Sequence, residues 1–123
     1  MAEKLRVLHV DDDVIMGMQI KELLEGEGYE VSDTVSSGAE AIESVRSNRP
    51  GIVLMDVRLK GGMNGIETAA KIRSFSDVPV IFLTGYKNTS TLESARGLAN
   101  TVFVSKPFEV VKLFEAIEQF RIK

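Results

Sequence analysis

Cysteine is absent from this chain, and histidine occurs once, as His9. Without thiols there is no disulfide scaffold, thiol nucleophile, Cys-ligated zinc or iron–sulfur cluster. A lone imidazole leaves little basis for a His-based metal site or a Ser–His–Asp triad. A basic excess is also missing: 15 Lys and Arg stand against 18 Asp and Glu, for a net charge of −3. Nucleic-acid binders usually carry a basic stripe, so direct contact with nucleic acid is not expected. Long apolar runs are lacking too. Ile52–Met55 and Val78–Leu83 fall far short of the ~20 residues that span a bilayer. The N-terminal run Leu5–Val10 is too short for a signal peptide and has no small-residue cleavage site. A soluble, cytoplasmic protein without a membrane partner is the expectation. GxGxxG does not occur, which disfavours a dinucleotide site.

What is present is a globular composition, 44% hydrophobic and 27% charged over 123 residues. That length suits one domain, residues 1–123, with a core large enough to need no staple. Two kinds of apolar periodicity alternate along it. Short runs rich in Val, Ile and Leu read as buried strands: Leu5–Val10, Tyr29–Val35, Gly51–Asp56, Val78–Leu83 and Thr101–Ser105. Between them lie helical spacings. The first covers Val14–Glu27, with Ile20, Leu23 and Leu24 as its apolar face and Gly26 and Gly28 at its end. The second opens at the capping box Ser37-x-x-Glu40 and reaches Asn48; the third covers Asn64–Phe75. The fourth covers Ser90–Leu98, and the fifth follows Pro107 with Val110, Leu113, Ile117 and Phe120 on its core stripe. A strand–helix unit repeated five times predicts an α/β fold, a doubly wound parallel sheet with helices on both faces. Ligands in such folds bind outside the carboxyl ends of the strands, where the strand order reverses.

Acidic residues gather at those ends. The first strand runs into Asp11-Asp12-Asp13 and the third ends in Asp56, while Thr84 follows the fourth and Lys106-Pro107 the fifth. Carboxylates brought together repel one another unless a cation joins them, and an all-oxygen set favours Mg²⁺ or a similar hard ion. Lys106 and the Thr84 hydroxyl suit a phosphoryl group. Together they make a site for phosphorylating an aspartate. Taken singly, each has a plainer reading: an Asp triplet after a strand is commonly a helix N-terminus. His9 reads as a packed strand residue and Gly61-Gly62 as a turn.

The order and spacing of five segments carry a family resemblance. They are Val7-Leu8-His9-Val10-Asp11-Asp12-Asp13, Ile52-Val53-Leu54-Met55-Asp56, Met63-Asn64-Gly65-Ile66-Glu67, Val78 to Tyr86, and Ser105-Lys106-Pro107-Phe108. Over essentially its whole length the chain resembles a receiver (response-regulator) domain of two-component signalling. The resemblance implies a flavodoxin-like sheet of order 2-1-3-4-5, with Asp56 accepting phosphoryl from a histidine kinase or phosphotransfer protein. It also implies that Mg²⁺, or Mn²⁺ in its place, is held by Asp11, Asp12, Asp56 and the Arg58 carbonyl. Thr84 and Phe103 match the switch pair, and Lys106 contacts the phosphoryl group before a cis Pro107.

The chain departs from the family in three places. Lys60 replaces the usual proline in a loop one glycine longer, Asn64 replaces the usual Asp, and Phe103 stands where many members have Tyr. Arg58 and Tyr86, two residues after Asp56 and Thr84, are expected to shield the phosphoryl group from water and lengthen its life. Val111 and Phe114, off or at the margin of the fifth helix's stripe, mark an output surface shared with the fourth helix and fifth strand. Phosphorylation-dependent homodimerisation through that surface is one expectation. The competing function is a Mg²⁺-dependent phosphatase or phosphotransferase with an Asp nucleophile. Such enzymes usually carry Asp-x-Asp, whereas Asp56 is followed by Val57 and Arg58. The expected protein is therefore not an enzyme beyond catalysing its own phosphorylation and dephosphorylation.

Overall fold

The computed structural model describes residues 4–59, 61–85, 93, 95, 97–105 and 110–121, with backbone alone for Thr84 and Arg121. The elements are β1 (Arg6–Val10), α1 (Val14–Gly26), β2 (Glu30–Val35), α2 (Gly38–Asn48), β3 (Ile52–Asp56), α3 (Gly65–Arg73), β4 (Val80–Thr84), β5 (Thr101–Ser105) and a C-terminal helix, α4 (Val110–Arg121). All strands pair in parallel, in the order β2-β1-β3-β4-β5. The predicted helix over Ser90–Leu98 lies mostly outside the described residues. Glu93 and Ala95 within it are helical, and the Leu98 N–H donates to the Ala95 carbonyl at 3.0 Å.

Strand alternation sorts the core into two layers. Leu8, Val10, Val53, Met55, Val80 and Phe82 face α2 and α3, meeting Ala41, Val45, Ile66, Ala69 and Ile72. Val7, Ile52, Leu54, Ile81 and Leu83 face the other way, meeting Ile20 and Leu24 of α1 and Leu113, Ala116 and Ile117 of α4. The three inner strands are apolar on both faces because helices cover both.

Helix starts follow the sequence signals. Ser37 caps α2 by accepting the Glu40 N–H at 3.2 Å, and Asn64 forms a full capping box with Glu67. Hydrogen bonds from the Ser37 and then the Ser36 hydroxyl hold the Glu40 carboxyl below its ordinary range. A depressed carboxylate pKa stabilises the folded form above the unfolded value. This support for α2 is thus present at neutral pH and is lost as pH falls through the lowered Glu40 value.

Several expectations need correction. β2 is not a buried strand: Val35 is its one buried residue, because the strand forms an edge of the sheet. β5 is the opposite edge, with Val104 alone buried. Leu23 is partly exposed, so the core stripe of α1 is Gly17, Ile20 and Leu24. On α4, Val110 is also outside the core, and Ala116 takes part in it. Helical side chains lean towards the N-terminus, so the first residue of a helix points past its end and not onto the sheet. Phe114 is half-buried and packs against the core, its ring 6.1 Å from that of Tyr29, whose hydroxyl donates to Glu118 at 2.5 Å. It lies at the margin of the core, as its place on the helical wheel suggests.

Candidate functional site

β1 and β3 lie side by side at the centre of the sheet, while their flanking neighbours β2 and β4 follow in opposite directions. This is the reversal point, and both strands end there in carboxylates. Asp11, Asp12 and Asp56 each offer an oxygen within 4.8 Å of the other two. Asp11 is buried, and Asp12 and Asp56 are half-buried.

The loop after β1 is held by a relay of backbone contacts. The Asp11 N–H donates to the Val35 carbonyl at 2.9 Å, and the Asp13 N–H donates to Asp11 Oδ1 at 2.9 Å. Asp13 in turn caps α1, its carboxylate accepting the Met16 N–H at 3.1 Å. The three consecutive aspartates therefore divide their work: the third serves the helix, and the first two face Asp56. After β3, the Arg58 N–H donates to Asp56 Oδ1 at 3.2 Å.

Gly65 brings α3 against this loop. Its N–H donates to the Val57 carbonyl at 2.7 Å, and a Cβ there would overlap the Asp56 carbonyl oxygen. Backbone is the obstacle, so no rotamer change relieves it. Gly65→Ala is expected to cost about 1–3 kcal/mol, as overpacking does. It should also shift the backbone of Asp56. Thermal unfolding and the amide resonances of Asp56 and Val57, measured together, check this; unchanged values in both would show that the loop yields freely.

A divalent cation fits the donor set. Octahedral Mg²⁺ bonds oxygen at about 2.0–2.1 Å, which places its ligand oxygens roughly 3–4 Å apart. Three carboxylate oxygens within 4.8 Å need only a small contraction to reach that spacing. Imidazole and thiolate, which suit softer metals, are absent from the cluster.

Other predicted residues stand as follows. Thr84 ends β4 beside Ser105 of β5 in the register. Lys106, Pro107 and Tyr86 lie outside the described residues. Arg58 is exposed at the rim. Phe103 is partly exposed on β5, and its ring stacks on buried Phe82 with centroids 5.0 Å apart.

Residues 7–118 match the response regulator receiver domain family. The chain belongs to this family. Transcriptional regulatory protein PdtaR of Mycobacterium tuberculosis (strain H37Rv) is 34% identical over 113 residues, covering 92% of this chain and 55% of PdtaR. DNA-binding response regulator MtrA of Mycolicibacterium smegmatis is 36% identical over 110 residues, covering 88% of this chain and 46% of MtrA. The chain thus spans about half the length of these curated relatives. Among solved structures, the receiver domain of a modulated diguanylate cyclase from Desulfovibrio desulfuricans G20 superposes with a TM-score of 0.88 at 30% identity, covering 95% of this chain and 93% of that one. A LuxR-family response regulator from Aurantimonas sp. SI85-9A1 superposes with a TM-score of 0.87 at 28% identity, covering 95% and 84%. Receiver domains accept phosphoryl groups from histidine kinases and bind Mg²⁺ at an acidic pocket; they are not enzymes in the ordinary sense.

Sequence reading missed one feature of this receiver's surface. Val14, Ile15 and Met18 are exposed on the first turns of α1, next to the acidic loop. A helical wheel at 100° per residue carried the signal: these three lie together, opposite the buried face of Gly17, Ile20 and Leu24. A groove of about 440 Å³ runs beside them, from Asp11 and Asp13 past Met18 and Lys21 to Thr34 and Glu40. Among the described residues, no helix is long and apolar enough to cross a membrane.

Proposed function

We propose that this receiver is a phospho-accepting switch in which Asp56 takes a phosphoryl group in a Mg²⁺-dependent reaction. The observation that supports it most is the convergence of Asp11, Asp12 and Asp56 at the reversal point of the sheet. An Asp56 oxygen attacks phosphorus in line with the bond to the donor's imidazole nitrogen. The P–N bond breaks, its electron pair stays on the imidazole, and an acyl phosphate forms. Asp11, Asp12, Asp56 and the Arg58 carbonyl would hold the cation, whose charge would offset that of three carboxylates and the incoming phosphoryl. Lys106 and Thr84, assigned by the family pattern, would engage the phosphoryl oxygens. Mn²⁺ suits the same oxygen ligands.

The donor is a histidine kinase or phosphotransfer protein. It must bring its phosphohistidine over Asp56, and the exposed Val14, Ile15 and Met18 offer the adjoining apolar contact. With 15 basic against 18 acidic residues, the receiver itself is assigned a protein partner and not a nucleic acid. Incubation with Mg²⁺ and acetyl phosphate tests the reading. A hydroxylamine-sensitive adduct that accumulates to one per chain supports a switch; continuous turnover of the donor, or no reaction, would sink it.

Arg58 and Tyr86 are proposed to slow hydrolysis of this adduct by crowding the in-line approach of water. An Arg58→Asn/Tyr86→Glu protein is expected to lose its phosphoryl group several-fold faster, read from the decay of the adduct. Equal decay in both proteins would remove the assignment.

The signal leaves through Thr84 and Phe103. If a phosphoryl group draws in the Thr84 hydroxyl, as the family pattern suggests, the Phe103 ring, which here rests partly exposed on Phe82, is proposed to turn inward. That change alters the surface of β5 and α4, where Val111 is exposed and Phe114 sits at the margin. Phosphorylation is proposed to promote association there. The phosphorylated protein should sediment as a dimer or capture its target, and Val111→Glu should abolish this while leaving phosphorylation intact.

A further inference from the structure

His9 is the one imidazole in the chain, and it lies where the pattern of β1 calls for hydrocarbon. Its neighbours Val7, Leu8 and Val10 are all buried and apolar, and His9 itself is fully buried. Burying a polar ring in the middle of a strand costs free energy that valine or isoleucine would not. The structure offers a reason for its presence. His9 Nε2 is 3.7 Å from Asp11 Oδ2, with both side chains about 1% exposed. The other edge of the ring lies under α1, where Nδ1 is 3.9 Å from the position a Cβ on Gly17 would take. The ring is therefore wedged between the sheet and α1 with one polar edge turned towards a carboxylate of the cluster.

Asp11 is thereby bracketed on both oxygens. The Asp13 N–H binds Oδ1 at 2.9 Å, and His9 stands against Oδ2. The 3.7 Å contact is longer than a hydrogen bond, so it acts by bulk and by the polarity of the ring edge. A carboxylate already oriented loses less freedom when a cation binds, and residues behind the ligands of a metal site set affinity in this way.

We infer that His9 is a positioning residue that holds the buried Asp11 carboxylate in the orientation a divalent cation requires. This rests on the reading of Asp11, Asp12 and Asp56 as the cation site.

The test is Mg²⁺ affinity in the unphosphorylated full chain, followed by the amide resonances of Asp12, Asp13 and Val57. His9→Val is expected to weaken binding about ten-fold or more, the usual scale for loss of a second-layer partner. His9→Gln, whose amide nitrogen can occupy the place of Nε2, is expected to recover most of that loss. His9→Ile serves as a second apolar variant should the smaller valine unsettle the core. Apolar variants that bind Mg²⁺ as tightly as the parent, or more tightly, overturn the inference alone. An equal loss in the apolar variants and His9→Gln also overturns it, because that pattern marks packing only. A parent protein that takes up no Mg²⁺ overturns this inference together with the functional reading beneath it.

Discussion

The Asp56→Asn protein is expected to gain no phosphoryl group from acetyl phosphate and Mg²⁺ under conditions that modify the parent fully. The amide has the shape of the carboxylate and can still accept the Arg58 N–H through its Oδ1, as Asp56 does at 3.2 Å. What it lacks is the anionic oxygen that attacks phosphorus in the proposed reaction. The fold should therefore survive and the chemistry should not. Neutralising one member of the cluster also relieves repulsion. Two unit charges about 5 Å apart repel by roughly 3 kcal/mol at an effective dielectric near 20, and partial exposure lowers that figure. Without added cation, Asp56→Asn should accordingly melt a few degrees above the parent. Intact mass and thermal unfolding check both halves. Full modification of Asp56→Asn would move the acceptor to another residue and remove the central assignment.

Removal of divalent cation is expected to have an effect nearly as large. Asp11, Asp12, Asp56 and the incoming phosphoryl are all negative, and three of them already stand within 4.8 Å of one another. An approaching phosphoryl group meets that field at close range, where each repulsion amounts to a few kcal/mol. A factor of ten in rate corresponds to about 1.4 kcal/mol, so the uncompensated site should react orders of magnitude more slowly. Excess chelator should stop phosphorylation, and Asp12→Ala should need at least ten-fold more Mg²⁺ for half-maximal rate. Asp12 is the informative choice because it is half-buried and, unlike Asp13, does not cap α1. Phosphorylation that proceeds undiminished in chelator would refute the cation's role.

Much of the fold was legible along the chain, for definite reasons. The inner strands β1, β3 and β4 are continuous apolar runs because both their faces are covered, and such runs stand out against amphipathic helices. Ser37 and Asn64 marked helix starts through side-chain geometry that involves only the next three residues. The edges were less legible. β2 has the residue types of a strand, but its exposure depends on having one neighbour and not two, which local sequence does not encode. The same holds for Val110, whose place on the helical wheel agrees with the core but whose position at the helix start does not.

The acidic site divides in a similar way. Its members were legible because each ends a strand, and strand ends of a parallel sheet share one edge. Their approach to within 4.8 Å, and the separate task of Asp13, depend on how the loop after β1 folds back.

The element order, the parallel sheet, the two-sided core and the edge where the carboxylates meet were all readable along the chain, because periodicity and helix capping act over a few residues. Which strands are edges, and that Gly65 must lack a side chain against Asp56, emerge only in the folded molecule, because both depend on segments brought together across the sheet and its covering helices. His9 and Asp11 share one side of the sheet by strand alternation, and side-chain packing sets their 3.7 Å approach. Packing there is dense enough that one added carbon or one polar edge changes what a neighbouring carboxylate can do.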